Sequence, residues 1–401
     1  MKYKKLSIKI LLLLASVYFV SQFLRSALGI TALSISEELN LNYEQIGRLG
    51  GVFFLSFALM QIPLGILLDR LNPLIVLTFM LLIIWLGTVL LAFANSYQFL
   101  IVARILQGIG CSACLMGPLI YLAKNSSKKY FSKSSGIIMG VGGLGALFSF
   151  SPFYMLNQVV GWQKSFFITS FLVLLIALLI ISLYQLEKNN FIFNKTKQEF
   201  KVFLFIFSNK NFLRILPISI FGYASFAFLL TLWGSKFLTL KNNINEQDIG
   251  LILMIMALFW TLGSIFFGYI NEKTGKNKTL VTLSTLAVSF LLVLLATIKT
   301  QSFTYYIIIF SIYGFLGAFT LVIIDQYRKL FDKDILGKVL TSANLFNFGG
   351  VFGVQWMTGF IIDYSTHIIG LKIEQGFSIA FLIIAIFLFI SLLFYLKSDE
   401  E

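Results

Sequence analysis

Histidine, cysteine and charge are what this 401-residue chain lacks. It holds one histidine, His367, and two cysteines, Cys111 and Cys114, set three apart in an apolar run. No zinc set can be assembled from these groups, so no metal site is expected, and two thiols inside one helix read as core packing. Only 12% of the residues are Asp, Glu, Lys or Arg, about half the usual share and too few to clothe a soluble domain. There is no phosphate-cradling glycine loop, no Ser-His constellation and no paired-acid or His-rich cluster in the apolar runs. An enzyme is therefore not expected, nor a cofactor. The short alternating segments of a membrane barrel are missing too.

What is present is apolar: 58% hydrophobic residues and a mean hydropathy of +0.90. Long apolar runs recur along nearly the whole chain, each near the roughly 20 residues a helix needs to cross a bilayer. They predict twelve spans, at residues 9–33, 44–68, 73–94, 97–121, 135–159, 164–185, 211–235, 248–270, 279–298, 302–325, 338–361 and 376–396. Backbone groups in hydrocarbon must be satisfied within each segment, so the fold class is an all-α membrane protein with the lipid bilayer as its solvent. The Lys residues of "MKYKK" followed by an apolar run also describe a signal peptide. The run is too long for one and shows no small-residue cleavage site, so it is read as the first span.

An even number of spans puts both termini on one face. By count from the sequence, 23 of the 31 Lys and Arg fall on that face, six fall on the other, and Arg25 and Arg104 lie inside spans. The positive-inside rule then makes both termini cytoplasmic. The net charge of +14 is a topology signal with added attraction to anionic lipid, not a nucleic-acid footprint. With no long extracellular domain and no sorting signal, a bacterial inner membrane is the expected location.

The segment 186–210, rich in Lys, Asn and Phe, divides the chain into bundles at 1–185 and 211–401. The halves repeat. "GILLDRLN" from Gly65 has a counterpart in "GYINEKTG" from Gly268: an acid four residues after the Gly (Asp69, Glu272), then a base (Arg70, Lys273). Gly108 similarly matches Gly314, and Gly142-Gly143 matches Gly349-Gly350, at nearly the same offset. Near-constant offsets in three spans imply two related six-helix bundles.

These features resemble the major facilitator superfamily of secondary transporters across essentially the whole chain. Its pattern Gly-x-Leu-x-Asp-Arg-x-Gly-Arg-Arg after the second span is matched by Gly65, Leu67, Asp69 and Arg70, and then lost at Asn72, Pro73 and Leu74. "RILQGIG" matches an Arg-x-x-Gln-Gly pattern at Arg104, Gln107 and Gly108, and "GWQKSFF" resembles the motif that opens the sixth span. The resemblance implies a transporter working by alternating access, with a small-molecule substrate, a proton or other ion as possible co-substrate, and a functional monomer. Gating then falls to Asp69, Arg70, Gly65, Glu272 and Lys273. A carboxylate at a helix end that accepts from facing N–H groups or bases is worth about 1–3 kcal/mol, enough to bias two states. Gly136 and Gly140 in the fifth span and "NFGGVFG" in the eleventh allow close or sliding packing. Drug antiporters of the family carry Gly-Pro in the fifth span, where this chain has Val141.

Substrate contacts are sought among embedded polar groups, because a central Arg costs about 2.5–3.5 kcal/mol on insertion scales and so faces protein or water. At 100° per residue Tyr18, Gln22, Arg25 and Gly29 share one stripe of the first span. Arg104, Gln107 and Cys111 form another on the fourth, and Asn344, Asn347 and Gln355 a third on the eleventh, with Tyr223 and Trp233 as aromatic lining. "QFLRSALGITALSISEELNLNYEQIG" resembles the anion:cation symporter branch, where an Arg at the place of Arg25 holds an organic anion's carboxylate. Leu24 and Cys111 stand where such proton-coupled symporters carry Asp and Glu, which leaves Asp325 as the nearest coupling candidate. The reading is a secondary transporter of a small polar solute, an organic anion. The alternatives are an efflux permease for drugs or metabolites, or a transporter-like membrane sensor.

Overall fold

The computed structural model describes residues 7–126, 128–187, 200–241 and 243–399. Among them there are helices and connecting turns but no strand. Eleven helices are long and apolar enough to cross a membrane: Ile8–Glu38, Tyr43–Arg70, Pro73–Ala92, Tyr97–Asn125, Trp162–Leu186, Lys210–Leu238, Glu246–Thr274, Asn277–Thr297, Phe303–Leu330, Ile335–Ile368 and Ile373–Tyr395. Lys133–Phe148 and Ser151–Val160, bent by 44°, form a twelfth as a broken pair. They are numbered here as spans in chain order, the broken pair being the fifth. The fifth span breaks at Ser149 and Phe150, just before Pro152, whose ring cannot continue a helix through that point.

Loop residues start the helices in ways the sequence makes plain. The Asn72 side chain accepts from the Leu74 N–H at 2.9 Å and Pro73 occupies the first turn of the third span. This is where the loop motif departs from its pattern: an N-cap and a first-turn Pro replace the Gly and the basic pair. Asn209, Asn245 and Ser302 cap the seventh, eighth and tenth spans in the same manner. At the start of the sixth span Gly161 has φ 83°, and Trp162 Nε1 and Gln163 Nε2 donate to the Glu38 carboxylate at 2.7 and 2.6 Å. The "GWQ" motif thus ties the sixth span to the end of the first.

Two compact units emerge. One holds Met1–Leu39 with Leu55–Gln198, the other Asn40–Phe54 with Glu199–Glu401. Most of segment 186–210 lies outside the described residues or in a short helix, Phe200–Ser208. In the first unit the first span packs on the fifth and the third on the sixth; in the second the seventh packs on the eleventh and the ninth on the twelfth. The pairs correspond under the repeat, so the duplication seen in the glycines extends to packing. Close approach needs glycine at Gly145, where a Cβ would stand 2.3 Å from the Phe19 carbonyl oxygen.

The outward faces remain apolar: Ile265 is 68% exposed, Phe79 63% and Phe290 61%. Surface of this kind requires lipid. Near the chain's end, Gln326 donates to the Asp399 carbonyl at 2.9 Å, accepts from the Tyr395 hydroxyl, and Asn211 donates to the Asp399 carboxylate at 2.9 Å. The seventh span runs to Leu238, three residues beyond its expected end at 235, so Lys236 is an embedded cation in addition to Arg25 and Arg104. It is 7% exposed. Helix continuation through a π turn at Leu229–Trp233 carried it inside.

Candidate functional site

In the first unit Arg25 is half-buried midway along the first span, its guanidinium carbon 5.1 Å from the centre of the Phe57 ring. That distance suits a cation over an aromatic face. Gln22 and Tyr18, on the same stripe, are also half-buried, and the Tyr18 ring lies so close to Gly142 that a Cβ there would meet it at 2.1 Å. The fifth-span glycine therefore fixes the depth at which Tyr18 sits.

The fourth-span pair has a different setting. Arg104 is 1% exposed and Gln107 0%. Arg104 Nη1 donates to the Leu24 carbonyl and to Gln107 Oε1, both at 3.0 Å, and Gln107 Nε2 donates to Thr88 Oγ1 at 3.2 Å. These bonds tie the fourth span to the first and third spans, one residue from Arg25 along the backbone. Arg104 Nη1 thus reaches the main chain at Leu24, the residue before Arg25, and the side chain of Gln107 on its own helix. Cys111 is buried, its carbonyl accepting from Ser21 Oγ at 3.4 Å.

In the second unit the eleventh-span residues also separate. Asn344 is exposed, and Asn347 Oδ1 accepts from Ser219 Oγ at 2.8 Å. Gln355 is fully buried, its Nε2 donating to Thr231 Oγ1 at 2.8 Å while its carbonyl accepts from Trp233 Nε1 at 3.1 Å. Both partners lie in the π turn of the seventh span, a distortion common at functional sites. Tyr223 meets the Phe348 ring edge to face at 5.4 Å, and Phe348 stacks on Phe54 at 6.3 Å. Trp233 is fully buried and packs against Tyr43 and Phe377.

The gating candidates lie at helix ends. Asp69 and Arg70 are exposed and form no ion pair with another described residue, and Gly65 is half-buried. Glu272 and Lys273 are exposed as well, and Glu272 shares a cleft of about 580 Å³ with Asn271, Asp325, Arg328 and Gly268. Within it Asp325 accepts from Asn271 Nδ2 at 2.9 Å and Asn277 Nδ2 at 3.4 Å, and lies 3.7 Å from Arg328 and 3.8 Å from Lys329. Lys329 in turn donates to Asn277 Oδ1 at 2.8 Å.

Three residues escaped the sequence reading: Phe57, which the Arg25 guanidinium overlies, Lys236, and Asp363, which accepts from the main-chain N–H groups of Tyr43 and Glu44. Phe57 is one of 44 phenylalanines, and nothing local marks it. Asp363 had a signal, being one of only 17 acids and placed at the end of an apolar span.

The sequence profile of the Major Facilitator Superfamily matches residues 14–354. The chain is 25% identical over 268 residues to the sialic acid transporter NanX of Escherichia coli strain K12, covering 66% of this chain and 62% of that protein. It is 25% identical over 358 residues to a probable 4-methylmuconolactone transporter of Cupriavidus pinatubonensis, 84% and 78% of the two chains. The structure overlays with a TM-score of 0.80 on a bacterial homolog of the human lysosomal transporter Spinster, in an inward-facing and unoccupied conformation, at 16% identity over 98% of this chain and 96% of that one. A D-xylose-proton symporter gives 0.78 at 15% identity, over 98% and 97%. With a profile match over most of its length, twelve spans and two repeated bundles, this chain is a member of the Major Facilitator Superfamily.

Proposed function

We propose that this transporter moves a small organic anion across a cytoplasmic membrane by alternating access, with the substrate's carboxylate taken by Arg25. The observation that carries the reading is Arg25 itself: a guanidinium held half-buried, midway along a span, over an aromatic face. A forked donor in a poorly hydrated setting gains much from a bidentate carboxylate and little from a neutral ligand. Gln22 and Tyr18 on its stripe serve the remaining polar and apolar atoms of the substrate, and Asn344, Asn347 and Tyr223 are the second unit's own candidate contacts. Gln355 and the Arg104–Gln107 pair act from behind these surfaces by holding spans in place.

Relatives named for sialic acid and L-galactonate support the anion reading, as does a probable sulfoacetate transporter that is 37% identical over 93 residues. A chromaffin granule amine transporter is 36% identical over 131 residues, 31% of this chain, and favours a second reading, the efflux of an amine. Arg25 weighs against it, because a cation gains nothing from a guanidinium. The charge bias supports a cytoplasmic position for both termini. Proton coupling, in this scheme, runs through Asp325 or through the protonation of the substrate itself.

The test is uptake into proteoliposomes with matched panels of radiolabelled sugar acids, sulfonates and amines, each with and without an imposed pH gradient. Saturable uptake of at least one acid, competed by other acids, is expected. Saturable transport of amines alone would replace this reading by the second.

A further inference from the structure

The second span passes from one compact unit into the other along a single helix, Tyr43–Arg70: its first turns, to Phe54, belong to the second unit and the rest to the first. A helix start leaves its first main-chain N–H groups without intrahelical partners. Here Asn42 and Gln45 form a reciprocal pair, Gln45 N–H donating to Asn42 Oδ1 at 2.8 Å and Asn42 N–H to Gln45 Oε1 at 3.0 Å. The N–H groups of Tyr43 and Glu44 remain, and both donate to Asp363, at 3.1 and 2.6 Å. A carboxylate from the far end of the eleventh span thus completes a cap that the helix's own residues leave half finished.

The surroundings are built for close approach. A Cβ at Gly359 would stand 2.2 Å from the Tyr43 carbonyl oxygen, and one at Gly47 would stand 2.4 Å from that of Gln355. Trp356 Nε1 donates to Glu44 Oε1 at 3.0 Å, and Glu44 also pairs with Arg48 one turn on. The Asp363 side chain is 13% exposed and His367 70%. Water is therefore at hand to receive both the carboxylate and the two N–H groups when they part, so the contact is strong when made and cheap to open. At the other end of the same helix Asp69 is exposed and unpaired among the described residues.

We propose that Asp363 is a releasable clamp on the N-terminus of the second span, and that its release, with that segment leaving the second unit, opens the transport path at this end. The proposal rests on the alternating-access reading above but not on the identity of the substrate. The two hydrogen bonds of the clamp are made to main-chain amides, and the Glu44–Trp356 contact lies beside them. What it needs is a carboxylate at 363 and no Cβ at 359.

The test uses the full chain in nanodiscs with Cys111→Ala and Cys114→Ala, spin labels at Arg48→Cys and Ile368→Cys, both exposed positions, and pulsed-dipolar distance measurement without substrate. A dominant short distance is expected for the parent. Asp363→Asn offers an amide where two amides already donate, and should raise the ratio of long to short distances about tenfold, the equivalent of one charge-assisted hydrogen bond. Asp363→Glu should restore part of the short population. Gly359→Ala should move the ratio the same way with the carboxylate intact. An unchanged distribution in Asp363→Asn, or a shift in Gly359→Ala alone, overturns the clamp. Since the readout requires no transport, an anion-negative uptake panel leaves it standing, and its failure leaves the anion reading standing.

Discussion

Replacing Arg104 with Met tests whether the fourth-span pair is structural or a substrate contact. The side chain is 1% exposed, and its Nη1 serves the Leu24 carbonyl and Gln107 Oε1. Removing it leaves Gln107 Oε1, in a fully buried residue, without that donor, a loss of about 1–3 kcal/mol. Against this, the variant no longer desolvates a guanidinium, which offsets part of the cost. A net destabilisation of about 1–2 kcal/mol follows. Gln107→Leu alone strands an Arg104 donor at similar cost. In the double variant both ends vanish together, so the two losses should not add, and a coupling of about 1 kcal/mol or more should appear in the cycle. The assay is reversible denaturant unfolding in mixed micelles, run beside substrate affinity on the same samples. Additive losses, or affinity that collapses in Arg104→Met while stability is unchanged, would refute the structural assignment and return Arg104 to the substrate.

Asp69→Asn should slow transport in matched proteoliposomes much more than it weakens equilibrium binding, and Glu272→Gln should do the same in the second half; equal rates would reject the gating role. For topology, an impermeant thiol reagent added outside intact cells should label Gln247→Cys and spare Lys273→Cys in the cysteine-free background. Lys241, 6% exposed with its ammonium 4.8 Å from the Phe237 ring centre, is a poor reporter there. Labelling at Lys273 would overturn the charge argument. Asp325→Asn keeps one acceptor for Asn271 but removes two ion pairs; substrate-driven pH changes should disappear in it when the substrate does not titrate, and their persistence would exclude Asp325 from coupling.

Much of the fold was legible because the bilayer reduces the problem to length and polarity. All twelve expected spans have a helical counterpart, and the ends differ by a few residues where helices run on past the apolar stretch, as at Glu38 and Ile368. The π turn at Leu229–Trp233 had no signature, and it hid the embedding of Lys236. The candidate site was less legible. Helical periodicity put Arg104 and Gln107 on one stripe, but a stripe does not say whether it meets a cavity or another helix. The partner that decides, Thr88, is an ordinary threonine in an apolar run. Gln355 likewise lies on the expected face of the eleventh span and is sealed by Thr231 and Trp233. Loop chemistry fared better: Asn72-Pro73 is a readable helix start once the lost basic pair is set aside.

The central claim is that Arg25 recognises a carboxylate, and the most direct measurement is substrate affinity in detergent for the parent, Arg25→Lys and Arg25→Gln. Arg25→Lys keeps the charge and loses the fork, so affinity for an acid should fall by about 1–3 kcal/mol. Arg25→Gln should fall further while its unfolding midpoint and membrane insertion stay near those of the parent. Affinity for the acid that is unchanged in Arg25→Gln would contradict the account and leave Arg25 a structural residue over Phe57.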